Sequence, residues 1–157
     1  MNNDKIIKQL QNELEKQNIN IKNFPILLLS SLFFITNLFT AYCNEYYIYS
    51  FLFFILTITS LIVHSKVYNN YYTNIIDKVA VLSIVLYGGY MFFTKENKEN
   101  YLSCFIVIVA FLMCIYLYIY GFIIKEYCFC DEKSIAEKWH FIMHAISSFG
   151  HHFIIYL

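Results

Sequence analysis

From Phe24 onward the chain alternates long apolar runs with short polar intervals, and a polar stretch precedes them. Within residues 1–23, Ile7, Leu10 and Leu14 recur at helical spacing after Asp4, a suitable N-cap. That pattern predicts a short amphipathic helix lying on a membrane surface. Five candidate spans follow: Phe24 to Cys43, about Tyr46 to His64, about Ile75 to Thr94, Tyr101 to Ile124, and one from near Trp139 to Leu157. Pro25 opens the first span, a position that tolerates a missing N–H. The third has the shortest apolar run, with Asp77 and Lys78 in its first turn and Gly88-Gly89 interrupting it. The fourth is long enough to cross with tilt. The last just reaches across, at roughly 1.5 Å per residue. The expected fold class is all-α: a polytopic transmembrane helix bundle of about five spans. It divides into an N-terminal amphipathic segment, 1–23, and a transmembrane bundle, 24–157. The opening stretch is not read as a cleavable signal peptide, because the apolar run after it is span-length and has no small-residue cleavage site.

Composition sharpens this picture. Of 157 residues, 59% are hydrophobic and only 14% charged, with a mean hydropathy of +0.53. The few charges cluster between the apolar runs, as expected when one charge at mid-bilayer costs about 2.5–3.5 kcal/mol. A net charge of zero leaves no basic face for nucleic acid. Loop charge also orients the bundle. Lys5, Lys8, Lys16, Lys22, Lys66, Lys78, Lys125, Lys133 and Lys138 fall on the side of the N-terminus, against Lys95 and Lys98 on the other. The positive-inside rule then places the N-terminal side in the cytosol.

The five cysteines show no Cys-x-x-Cys pair and no disulfide framework. Cys104 and Cys114 lie within an apolar run, where a thiol acts as a small hydrophobe. Cys128-Phe-Cys130 follows a span end, where juxtamembrane acylation and an unremarkable loop thiol are both open readings.

The histidines carry the chemistry. Ser60 and His64 are four residues apart at the end of the second span, and His140 and His144 are four apart at the start of the last. Asp77 opens the third. With five alternating spans, Ser60, His64, Asp77, His140 and His144 arrive at one membrane depth on the cytosolic side. Two imidazoles one turn apart on one helix, joined by a third from a facing helix, suit Zn2+ with a fourth position left open. A nearby carboxylate can orient or deprotonate a water there. Taken singly, each residue has a plainer reading: His as an interfacial group, Asp77 at a helix N-terminus, Ser60 bonded to its own backbone. His151 falls on the face of His140 about 16 Å deeper, too far to share an ion. It is expected to line a cavity or bond a neighbouring helix, and His152 is given no role.

Ser60-Leu-Ile-Val-His64, then Asp77, then His140-Phe-Ile-Met-His144 resemble the signature of the CREST superfamily, which includes alkaline ceramidases and adiponectin receptors. The short interval from His64 to Asp77 is more like the ceramidase and TMEM8-like branches than the adiponectin receptors. The resemblance implies that His64, His140 and His144 ligate zinc, that Asp77 holds or activates the water there, and that Ser60 assists by hydrogen bonding. It also implies hydrolysis of an amide or ester in a membrane lipid. Family members have a seven-helix core, whereas five spans are read here. Losing two spans preserves the direction of the His-pair helix but removes part of the wall around a lipid chain, which a homo-oligomer would be one way to rebuild. Two other classes stay open. One is a non-catalytic receptor, trafficking or fusion protein that keeps the site for stability. The other is a b-type haem protein, which leaves Ser60, Asp77 and one His without a task.

Overall fold

The computed structural model of the chain describes residues 26–65, 70–96 and 100–157, and all regular structure among them is helical. The amphipathic segment expected over 1–23, with Phe24 and Pro25, lies outside the described residues. Five long helical units follow in order. Helix α1 covers Ile26–Cys43, α2 Tyr47–Ser65, α3 Tyr71–Thr94, α4 Tyr101–Ile124 and α5 Lys133–Tyr156. The first four are long and apolar enough to cross a membrane. Helix α5 has the length, at 24 residues, but carries four histidines and three serines.

Sequence chemistry accounts for the helix ends and breaks. Helix α1 tightens at Leu32, where Leu32 N bonds Leu29 O and Ile35 N bonds Leu32 O. Just before that point Ser30 and Ser31 both donate to the Leu27 carbonyl at 2.9 Å, the back-bonding that bends helices. Helix α3 begins about one turn earlier than the span read from Ile75. Asn70 accepts from Thr73 N while Thr73 Oγ1 accepts from Asn70 N, a reciprocal cap. Asp77 therefore lies well inside the helix, and the reading that placed it in the first turn is corrected. Gly88-Gly89 does not interrupt α3 either, since the helix runs unbroken to Thr94. Helix α4 carries a π-helical turn over Tyr116–Tyr120 and ends at Lys125, whose φ of 60° terminates it.

Helix α5 is the pivot of the bundle, packing against α1, α3 and α4, while α2 packs between α1 and α3. The approach of α4 to α5 depends on small residues. A Cβ added to Gly150 would stand 2.9 Å from that of Ala110. The core joins Phe34, Tyr49, Phe53, Leu56, Ile84 and Ile155. Polar side chains are buried beside them, including Ser30, Ser31, Asn37, Ser60, His144, Ser148 and His151. Large apolar side chains such as Phe51, Phe54, Leu86, Phe93, Phe105 and Phe122 face outward instead. This inside-out distribution suits hydrocarbon and would be an extended sticky surface in water. Among the described residues, no buried side-chain nitrogen or oxygen lacks a hydrogen-bond partner, the condition lipid imposes.

Candidate metal centre

A polar seam holds α5 in register and ends in histidine chemistry. Along the α1–α5 contact, Asn37 donates from Nδ2 to the Ser148 carbonyl at 2.8 Å, and Ser148 Oγ donates back to Asn37 Oδ1 at 2.6 Å. Thr36 Oγ1 lies 2.9 Å from His152 Nε2. These bonds fix the rotation of α5 about its axis, so that His140 and His144, one turn apart, face the last turn of α2 and its His64.

There the three imidazoles converge. One ligand nitrogen from each of His64, His140 and His144 lies within 4.8 Å of the others. Ring centroids are 5.2 Å apart for His64 and His140, 5.5 Å for His64 and His144, and 4.7 Å for His140 and His144. His144 is buried, and the other two are half-buried. Phe34 packs on the His144 ring at 5.1 Å, and a Phe33–Phe141 contact at 5.3 Å closes the same flank.

The donor set fits a borderline transition metal. Three imidazoles on one zinc, at about 2.0–2.1 Å each, stand roughly 3.3 Å apart. The three nitrogens lie within 4.8 Å of one another, a looser set than that. The cluster is made of nitrogen donors alone, which suits zinc and disfavours calcium or magnesium.

The other two residues expected at the site are not members of this cluster and are held by hydroxyls. Asp77 is half-buried, and its Oδ1 accepts from Thr59 Oγ1 at 2.9 Å. Ser60 is buried and its Oγ pairs with Ser31 Oγ at 2.9 Å. The structure thus brings the imidazoles together while hydroxyls of α1 and α2 hold Ser60 and Asp77. His151 bonds a neighbouring helix, the second of its two expected fates: its Nδ1 is hydrogen-bonded to the Tyr49 hydroxyl.

Ser30, Ser31 and Thr59 escaped the reading of the sequence. A usable signal was present for the first two. Adjacent hydroxyls in an otherwise apolar span, with Asn37 two turns on, mark the side of that span that faces protein. Cys128 and Cys130 are half-buried. Burial pushes the Cys128 thiol up to about 11, which disfavours a reactive thiolate there.

Compared with known proteins, the chain matches no family model, no curated protein and no solved structure.

Proposed function

We propose that this chain is a zinc-binding multi-pass membrane protein that hydrolyses an amide or ester in a membrane lipid, a ceramidase-like activity of the CREST type. One observation carries the reading: three imidazoles from two helices, 76 residues apart in sequence from His64 to His140, meet within 4.8 Å in an apolar bundle. Polar clusters at such a depth are expensive unless they serve a function. In this reading α5 is the fifth crossing. Its low apolarity is tolerated because its polar stripe faces α1 and α2 rather than lipid. The distribution of lysines puts the N-terminus and the histidine site on the cytosolic side.

His64, His140 and His144 would hold the ion, and zinc supplies Lewis acidity toward a carbonyl oxygen and toward water. The remaining work falls to the chain. Thr59 holds one carboxylate oxygen of Asp77, leaving the other to take a proton from the attacking water. Water oxygen bonds to the acyl carbon, the C–N or C–O bond breaks, and the proton passes to the leaving amine or alcohol. Ser60 braces α2 against α1 through Ser31 at the turn that carries His64.

A second reading is a non-catalytic protein in which the site is structural. It is favoured by the hydroxyl partners of Ser60 and Asp77, which hold both beside the imidazole cluster rather than in it.

The test starts with protein purified in mild detergent and metal analysis by mass spectrometry. About one zinc per chain, absent from a His140→Ala/His144→Ala variant, is expected. Turnover of ceramides or phospholipids that disappears in Asp77→Ala while zinc remains supports the hydrolase. Zinc bound without turnover in the wild type selects the structural reading. A well-folded wild type without zinc overturns both, and a Soret band would point to haem instead.

A further inference from the structure

A residue that touches the most buried imidazole of the cluster lies in neither histidine segment. Ser30 is fully buried, and its Oγ stands 2.9 Å from His144 Nδ1 and 2.9 Å from the Leu27 carbonyl oxygen. A serine hydroxyl has one proton to give. The Leu27 carbonyl can only accept, and with the Ser30 proton directed to it the Ser30 oxygen is left to accept from His144 Nδ1–H. A neutral imidazole with its proton on Nδ1 carries its lone pair on Nε2. With Nδ1 engaged by Ser30, Nε2 is the nitrogen left for His64 and His140.

We propose that Ser30 is a positioning residue of the metal site, fixing His144 in the tautomer whose Nε2 can bind a metal ion. The proposal rests on the metal reading above and deepens it. Ser30 Oγ is within hydrogen-bond distance of Nδ1, and Phe34 packs on the same His144 ring at 5.1 Å. The acceptor Leu27 is one turn away on the same helix, so the Ser30 hydroxyl is oriented locally and does not depend on the ion. Ser31 repeats the arrangement: it also donates to Leu27 at 2.9 Å, and it presents its oxygen to Ser60. The adjacent serines therefore do different jobs, Ser30 for a candidate ligand and Ser31 for the α1–α2 contact. Partners of this kind set the orientation and basicity of a ligating histidine.

The test uses full-length chain labelled with 15N-histidine, in detergent, stripped of metal by chelator, with His144 assigned by comparison with His144→Ala. The expected spectrum shows protonated Nδ1 and unprotonated Nε2 at His144. Ser30→Ala should move that residue toward the other tautomer, and Ser30→Thr should restore it. Zinc affinity, read by chelator competition, should fall roughly tenfold to a hundredfold in Ser30→Ala and return in Ser30→Thr. Ser31→Ala, which removes the partner of Ser60, should leave the His144 tautomer as in wild type. A wild-type His144 protonated at Nε2 overturns the positioning role, as does a Ser30→Ala variant with unchanged affinity; in both cases the metal reading still stands. Wild-type protein that takes up no zinc overturns the metal reading and the positioning role together.

Discussion

His144 and His151 sit two turns apart on one face of α5, and both are buried, yet their surroundings differ in kind. Around His144 two further imidazoles gather, and a serine hydroxyl engages its Nδ1. Around His151 the space is filled: Tyr49 bonds its Nδ1, Phe53 meets its ring edge-on at 5.3 Å, and the α3 backbone closes in at Gly88. A Cβ on Gly88 would stand 2.7 Å from the Tyr49 hydroxyl and 3.0 Å from His151 Cε1. One histidine is placed so that something can be added between it and its neighbours, whereas the other is a finished contact. A buried histidine in a membrane bundle is therefore judged by what converges on it, since burial is the same in both cases.

Each end of this comparison can be broken separately. The largest effect belongs to the imidazole cluster. His64→Ala should abolish stoichiometric zinc in metal analysis, whereas His151→Ala should leave the zinc content at the wild-type level and lower only thermal stability in detergent. A zinc content that falls equally in both variants would erase the distinction. Next comes Gly88→Ala, where the new methyl must displace a fully buried Tyr49 or His151. Overpacking of this kind costs about 1–3 kcal/mol, visible as a lowered melting temperature with zinc still bound. Tyr49→Phe removes only the hydroxyl facing His151. Interhelical bonds in membranes average about 0.6 kcal/mol and reach about 1.7, so a loss in that range is expected from equilibrium unfolding in micelles. The smallest effect should come from Thr36→Val, which removes an exposed bond to His152 and is expected to cost no more than about 0.5 kcal/mol in the same unfolding measurement.

The opposite end of the bundle shows that polar contacts also set register. Lys95, just past α3, donates to the Ile155 carbonyl near the end of α5 and lies 4.6 Å above the Tyr46 ring. A cation is well placed at a helix C-terminus, where unpaired carbonyls gather. Together with Asn37 and Ser148 this contact holds α5 along its length, so the histidine face is presented by the whole bundle rather than by one local bond.

Much of this was legible in the chain before folding. Span-length apolar runs specify helices with apolar exteriors, because lipid leaves no other way to satisfy a backbone, and Tyr101–Ile124 is bounded in the structure as its hydropathy suggests. The pairing of His140 with His144 follows from helical period alone, and alternating spans bring His64 to their level. Hydropathy could not supply the start of α3, since Asn70 and Thr73 cap that helix with polar groups about a turn before the span read from Ile75. Nor could it assign partners to Ser60 and Asp77. A hydroxyl or carboxylate in hydrocarbon must take a hydrogen bond from somewhere, but which helix provides it depends on rotation and register. Those are set by Asn37 against Ser148 and by the close approaches at Gly88 and Gly150. Spacing thus announces that a polar residue needs a partner, and packing alone selects Ser31 for Ser60, Thr59 for Asp77, Ser30 for His144 and Tyr49 for His151.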